Sequence, residues 1–160
     1  MEISPTLDAN VGPTPLLAFT INDPIVDMAQ ITARGPKGVL YAAVGSGLLS
    51  VRTPGTYAVS MGFQRPAGEN ASCLVRMALG SHRVVNNVDV NVVHDVSRTF
   101  TPGRFDLQSG LYPVSWVFSC WHDRTMIGTG RITLLVSGPG EQKLSPVRLD
   151  DILRQTTIKP

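Results

Sequence analysis

A regular alternation of apolar and small or polar residues is the feature that most constrains how this chain can fold. In the segment 112–120, YPVSWVFSC, the even positions carry the large apolar side chains, namely Tyr112, Val114, Trp116, Phe118 and Cys120. Successive side chains of a β-strand point to opposite faces, so this repeat places one apolar set on a single face. The segment is therefore predicted to be a central strand whose bulky face fills the interior between two sheets.

Other segments repeat this pattern or form shorter strand candidates between turn residues. The alternation is clearest in 55–63, 71–79, 84–93 and 131–138. A short strand is predicted at 16–21, and two further strands at 38–44 and 47–52 are predicted to be joined by a turn at Gly45-Ser46-Gly47. About eight strands separated by short turns predict an all-β fold, an antiparallel two-sheet sandwich of jelly-roll-like type.

The two ends of the chain differ from its middle. Residues 1–15 contain three prolines and no periodicity, which predicts an extended N-terminal arm before a sandwich domain at 16–144. Residues 145–160 are predicted to form a short C-terminal helix and tail. Ser145 suits a helix cap, Pro146 suits the first turn, and apolar residues follow at helical spacing.

Composition excludes several classes of function. The 160 residues are 42% hydrophobic and only 16% charged, against about 25% charged in typical domains. The net charge of +2 comes without a basic run, so no nucleic-acid partner is expected. No apolar stretch approaches the roughly 20 residues that cross a bilayer, and the N-terminus has no features of a secretory signal. We therefore expect neither a membrane segment nor a signal peptide.

Cys73 and Cys120 are the two cysteines, and both fall in the apolar phase of predicted strands. One interpretation is two buried free thiols that act as small hydrophobic core residues. The other is a single disulfide, which would indicate an oxidising compartment.

No constellation of residues indicates catalysis or metal binding. His82, His94 and His122 lack the short spacing typical of zinc ligands. The chain has no Gly-x-Ser-x-Gly nucleophile motif, no phosphate-binding loop and no evident pair of acidic residues for glycoside hydrolysis. We therefore predict a protein that is not an enzyme and has no cofactor or metal site.

The loop 120–124, CWHDR, is the most site-like segment. Trp121 is out of phase with the interior residues of its strand, so its indole can face outward beside His122, Asp123 and Arg124. Such a loop would form a sugar-stacking or protein-contact platform. The alternative interpretation is a tryptophan that closes the end of the sandwich.

Polar residues also alternate with valines in the segment 84–93. Asn87, Asp89 and Asn91 share one face of this predicted strand, and Val88, Val90 and Val92 share the other. We interpret the polar face as a solvated surface. The functional alternative is a hydrogen-bonding strip for a glycan or a neighbouring subunit.

Three segments, LLSVRTPGTYAVSMGF (48–63), GRFDLQSGLYPVSWVF (103–118) and LSPVRLDDIL (144–153), carry a family resemblance. They contain a strand that opens with Gly-x-Tyr, a later strand approached through Leu-x-x-Gly-x-Tyr, and a closing segment led by proline. In these features residues 48–153 resemble the PA14-like β-sandwich family. The resemblance implies a sandwich scaffold.

Glycan-binding members of that family hold calcium with paired aspartates in the loop after the Gly-x-Tyr strand. The corresponding loop here, QRPAGENAS (64–72), has no such pair. Glu69 and Asn70 alone could offer oxygen ligands there, whereas calcium takes about six or more. The resemblance therefore does not imply a calcium site, and Glu69 and Asn70 are kept as candidate residues of a ligand loop.

The leading functional hypothesis is a non-enzymatic assembly protein that binds neighbouring subunits as a homo-oligomer. Its concrete form is a virion accessory component, such as a capsid decoration, cement or tail protein, in a virion or another extracellular assembly. Extended ends commonly tie subunits together across symmetric contacts. The predicted contact residues are Leu16, Leu17, Phe19, Leu149, Ile152 and Leu153. The alternative is an extracellular PA14-like module that binds glycans or mediates adhesion through the loops at 65–70 and 120–124.

Overall fold

The computed structural model describes residues 16–18, 24–68, 70–147 and 152–153, and the statements below concern these residues. They form thirteen strands and one helix, and eight of the strands have four or more residues. The strands are β1 (Leu16–Ala18), β2 (Ile25–Asp27), β3 (Ala42–Val51), β4 (Gly55–Arg65), β5 (Ala71–Leu79), β6 (His82–Val92), β7 (Val96–Thr99), β8 (Gly103–Leu107), β9 (Gly110–His122), β10 (Thr125–Met126), β11 (Arg131–Ser137), β12 (Ser145–Pro146) and β13 (Ile152–Leu153). The helix α1 spans Met28–Arg34.

The strands form two sheets. The seven-stranded sheet has the order β1-β3-β9-β5-β6, with β10 beside β9 and β13 beside β3. The six-stranded sheet has the order β12-β11-β4-β7, with β2 beside β11 and β8 beside β4. The strand pairs are antiparallel, apart from β1 and β3, which run parallel. The predicted all-β sandwich of two sheets is therefore confirmed.

The interior lies between these two sheets, and β9 runs through the middle of the larger one. Trp116 is 6% exposed, and Phe118 and Cys120 are fully buried, as the alternation predicts. Phe63 of β4 meets Phe118 of β9 edge to face, with 6.3 Å between the ring centroids. This aromatic contact joins the inner faces of the two sheets, in a geometry that aromatic pairs favour.

The predicted turn at Gly45-Ser46-Gly47 is wrong, because β3 runs without interruption from Ala42 to Val51. Gly45 lies directly opposite Trp116 of β9. A Cβ atom at position 45 would lie 2.1 Å from Cε2 of the Trp116 indole. The glycine is therefore required by the close approach of a large side chain to the backbone and does not mark a turn.

The predicted C-terminal helix is also wrong within the described residues, since Ser145–Pro146 and Ile152–Leu153 are strands. β12 pairs with β11, and β13 pairs with β3. Proline is tolerated on an edge strand because its missing N–H can face away from the ladder. Val147 follows β12, donates its N–H to the carbonyl oxygen of Leu134 at 3.0 Å, and is 6% exposed. Packing against the sheets therefore overrides the helical spacing.

The helix α1 lies near the other end of the described chain. It follows β2 directly. The β-branched residues Ile25 and Val26 favour an extended backbone, and they form the strand that pairs with β11. Gly35 ends the helix by donating its N–H to the carbonyl oxygen of Ile31, and the hydroxyl of Tyr41 donates to the same oxygen. Within the described residues, no helix has the length and apolar character needed to span a membrane.

Candidate functional site

Apolar side chains cover part of the outer face of the seven-stranded sheet. Ala42 and Leu74 are fully buried there, and half-buried apolar side chains pack against them. We call this cluster the outer apolar patch; its members are Ala42, Val44, Leu74, Val88, Val117 and Trp121. The register explains the grouping, because Leu74 lies opposite Val88, and Val117 lies opposite Val44. The patch thus extends across four neighbouring strands, β3, β9, β5 and β6.

Trp121 lies at the end of this patch, near the C-terminus of β9. It is opposite Ser72 of β5 and Met126 of β10. Cys120 faces the interior, so Trp121 points to the outer side of the sheet, as its phase in the sequence predicts. Its side chain is half-buried against the patch. The indole therefore lies on the broad face of the sheet and leaves apolar surface accessible.

The polar residues of the CWHDR loop form the tight hairpin between β9 and β10. Thr125 pairs with His122, so Asp123 and Arg124 are the turn residues. Asp123 has a φ of 52°, in the left-handed region that aspartate tolerates better than most residues. Nε2 of His122 lies 3.6 Å from Oδ2 of Asp123, and both side chains are well exposed, at 44% and 86%. Such an exposed pair contributes little to stability. Because both side chains are exposed, their polar atoms are accessible to a ligand.

The second predicted ligand loop, 65–70, lies at the same end of the sandwich. It follows the C-terminus of β4 and precedes β5, where Ser72 is opposite Trp121. The loop is attached to the connection between β6 and β7: Gly68 donates its N–H to the carbonyl oxygen of Val93, and Ala67 donates to the carboxylate of Asp95. Oδ1 of Asn70 is buried and accepts no hydrogen bond from the described residues. Glu69 lies outside the described residues.

The prediction of a solvated polar face on β6 is wrong for Asn87 and Asp89. These residues are opposite Val75 and Cys73 of β5, whose side chains face the interior, so both point to the inner side of the sheet. Arg98 of β7 donates from Nη2 to Oδ1 of Asn87 at 2.6 Å, and its Nη1 lies 4.0 Å from Oδ1 of Asp89. The guanidinium also stacks over Phe100, 4.5 Å from the ring centroid. Nothing is described of the Asn91 side chain.

This orientation of β6 leaves Val88 and Val90 on the solvent side, whereas Val85 is part of the core. Val88 joins the outer apolar patch, and Val90 is 64% exposed. The alternation in the sequence separates the two faces of this strand, but the choice of the polar face as the solvent side is wrong. Which face meets the interior depends on the register with β5, where Cys73 and Val75 are fixed by the core. The long-range pairing therefore leaves apolar side chains on the solvent side.

Two arginines lie on the same outer face, at the opposite side of the patch from Trp121. Arg76 is opposite Val117, and Arg83 is opposite Ala78. Arg76 donates from Nε to Oδ1 of Asn86 at 2.8 Å. Burial lowers the pKa of Arg76, and the positive charge of Arg83 lowers it further. The outer face therefore combines an apolar surface with a concentration of positive charge.

Cys73 and Cys120 form a disulfide in the structure. This is one of the two alternatives that the sequence left open. The residues are directly opposite on β5 and β9, and they are 2% and 0% exposed. The bond closes a loop across a sequence separation of 47 residues. It lies on the inner face, directly beneath the sheet surface that carries Ser72 and Trp121.

Four of the predicted contact residues make strand pairs within the chain. Leu16 and Leu17 pair with the start of β3, and Ile152 and Leu153 pair with its middle. These residues therefore cover the edge of β3, and contact with a partner stays a prediction. Phe19, Leu149 and the predicted arm 1–15 lie outside the described residues.

Histidines and acidic residues are dispersed over the described part of the chain. The ring of His82 lies 5.6 Å from the ring of Phe105, and His94 is exposed on the connection between β6 and β7. Within the described residues, no three side chains of the metal-ligating types come together. The candidate site is therefore the outer apolar patch with the adjacent hairpin, a surface for contact.

Comparison with known proteins gives one structural similarity. No family model matches the chain, and no curated protein matches it. Among solved structures, the chain is similar to the PA14 domain of the antifreeze protein MpAFP, with a TM-score of 0.41 and 16% sequence identity. The alignment covers 69% of this chain and 49% of that chain, so this protein spans about half the length of its neighbour.

Proposed function

We propose that the chain is a non-enzymatic binding module whose outer apolar patch contacts a partner protein. The observation that carries this proposal is the outward placement of Trp121 and three half-buried valines, Val44, Val88 and Val117, on a sheet whose other face already forms the core. Contiguous apolar surface on the outside of a domain is typical of interaction sites. Tryptophan is also among the residues that contribute most to protein interfaces.

The charges beside the patch indicate the chemistry of the partner. Arg76 and Arg83 share the outer face; burial lowers the pKa of Arg76, and the positive charge of Arg83 lowers it further. A partner that places a carboxylate near this pair would relieve the repulsion and form a charge-assisted hydrogen bond. We therefore expect an apolar protein surface that is bordered by acidic residues, and binding that weakens as the salt concentration rises.

The disulfide indicates the kind of cellular compartment in which the protein would work. A bond between Cys73 and Cys120 persists where the environment is oxidising, as outside the cell or in a periplasm. We accordingly propose that the protein works in such a compartment. A virion accessory component, as a capsid decoration, cement or tail protein, is the most specific form of this proposal.

An extracellular glycan-binding or adhesion module is the second candidate. It is favoured by the exposed hairpin, in which His122, Asp123 and Arg124 follow an aromatic ring that sugars can stack on. Aromatic faces together with a few polar groups are common features of ligand sites. A glycan array separates the two candidates: binding that Trp121→Ala abolishes supports the module, and an array without binding removes it.

The test of the leading proposal compares two outer faces of the molecule. A photo-crosslinking amino acid replaces either Ser46, which is exposed on the outer face of the seven-stranded sheet, or Gln64, which is exposed on the outer face of the six-stranded sheet. Both variants are expressed in cells of the natural source and irradiated. We expect one protein adduct from position 46, lost in the Trp121→Ala background and weakened by salt. Equal adducts from both positions, or none from position 46, would contradict the proposal.

A further inference from the structure

Short side chains separate the two arginines on the outer face of the seven-stranded sheet. Ala78 of β5 lies opposite Arg83 of β6 on one side and opposite Ser115 of β9 on the other. Arg76 is two residues before Ala78 on β5, so its side chain points to the same face. Ala78 and Ser115 are half-buried, and Arg83 is exposed. The residues between the arginines therefore leave space for a ligand group beside both guanidinium groups.

Asn86 of β6 fixes the orientation of the Arg76 side chain. It lies opposite Arg76 in the ladder, and its Oδ1 accepts a hydrogen bond from Nε of Arg76 at 2.8 Å. A guanidinium group is planar and carries its five N–H donors in a fixed geometry. The bond from Nε holds the side edge of this group. Within the described residues, the two Nη atoms make no other hydrogen bond or ion pair, so they are directed to a ligand.

The two positive charges stand together without an acidic side chain between them. Burial lowers the pKa of Arg76, and the positive charge of Arg83 lowers it further. Neither arginine forms an ion pair with a carboxylate in the part of the chain that the structure describes. An anion at this place would offset the repulsion between the like charges and accept charge-assisted hydrogen bonds.

We propose that Arg76 and Arg83 form a binding site for a carboxylate of the partner protein, and that Asn86 positions the Arg76 guanidinium for it. One N–H from each Nη atom of Arg76 matches one oxygen atom of a carboxylate, in two parallel hydrogen bonds. Arg83 supplies the second positive charge. The inference rests on the proposed function and deepens it, because it assigns recognition of an acidic side chain to Arg76, which lysine cannot replace.

The first test uses acetate as the probe and the isolated, isotope-labelled chain in its oxidised form. NMR follows the Nε–Hε signal of Arg76 while sodium acetate replaces sodium chloride at constant ionic strength. We expect a saturable shift whose affinity falls about two- to fivefold in Arg83→Gln. The matched control Arg104→Gln, which removes an exposed arginine of β8, should leave the affinity unchanged. A shift without saturation, or an equal shift of the Arg104 signal in the wild-type chain, would overturn the site.

Two variants test the positioning role of Asn86. Asn86→Ala removes the acceptor that orients Arg76, and we expect acetate to bind about two- to fivefold more weakly. Asn86→Asp places a carboxylate of the chain itself against the guanidinium, and we expect the acetate shift to disappear. Because Asn86 is exposed, both variants should unfold in urea close to the wild-type midpoint. Unchanged acetate affinity in both variants would contradict the role of Asn86.

Photo-crosslinking from position 46 separates this inference from the proposed function. Arg76→Lys keeps the charge but loses the planar pair of donors, so the partner adduct should decrease severalfold. The control Arg104→Lys should leave the adduct unchanged. If the otherwise wild-type chain gives no adduct, the proposed function fails. If it gives an adduct that Arg76→Lys does not reduce, the proposed function stands and the carboxylate site is refuted.

Discussion

The two faces of the seven-stranded sheet are both apolar, but only one of them meets a second sheet. On the inner face, Phe118 is fully buried and contacts Phe63 of the six-stranded sheet. On the outer face, the neighbouring residue Val117 packs with Val44 and Trp121 and stays half-buried. Apolar character is thus similar on the two sides of β9, and the outer face also has fully buried residues, Ala42 and Leu74. The difference between the faces is that the outer side chains around these two residues, such as Val117 and Trp121, stay partly exposed.

The largest expected difference in stability is between two neighbouring residues of β9 that face opposite sides of the sheet. Phe118→Ala should lower the free energy of unfolding by about 3–5 kcal/mol, because it removes a fully buried aromatic side chain and leaves a cavity. Val117→Ala should cost about 1 kcal/mol or less, since its side chain remains partly in water. Urea unfolding followed by circular dichroism measures both values. Similar costs for the two variants would mean that the outer face is also a core.

The disulfide gives the next largest effect. The double variant Cys73→Ala/Cys120→Ala should lower the free energy of unfolding by about 2–4 kcal/mol, because the bond restricts the unfolded chain across a sequence separation of 47 residues. Urea unfolding under non-reducing conditions measures the loss, with wild-type protein unfolded in reductant as the control. Thiol titration of the denatured wild-type chain should detect no free thiol. Two titratable thiols would restore the alternative of free core cysteines.

The sequence predicted the elements whose signal is local. The strands β4, β5 and β11 follow from alternation alone, and so does the burial of Trp116 and Phe118 in β9. Gly45 was misassigned to a turn because the reason for the glycine, the indole of Trp116, comes from a distant strand. The residues from Ser145 to Leu153 carry helical spacing, but two of their segments pair with different sheets. Local patterns cannot reveal such pairings.

The candidate site was predicted only in part for the same reason. The phase of Trp121 within its own strand predicted that the indole faces outward. Val44, Val88 and Val117 could not be assigned to the same surface, because they come together only through the order β3-β9-β5-β6. The polar face of β6 is predicted to face solvent because its residues are polar. In the structure, Asn87 and Asp89 lie on the inner side, where they contact Arg98. A surface assembled from four strands becomes visible only once their register is known.

Quenching of the two tryptophans by acrylamide tests the contrast between the faces most directly. In Trp116→Phe, the remaining Trp121 reports on the outer face, and in Trp121→Phe, the remaining Trp116 reports on the interior, where it is 6% exposed. We expect Trp121 to be quenched several times more strongly than Trp116 in the folded protein, and both to be quenched equally in urea. Equal protection of the two indoles in the folded chain would contradict an accessible outer face.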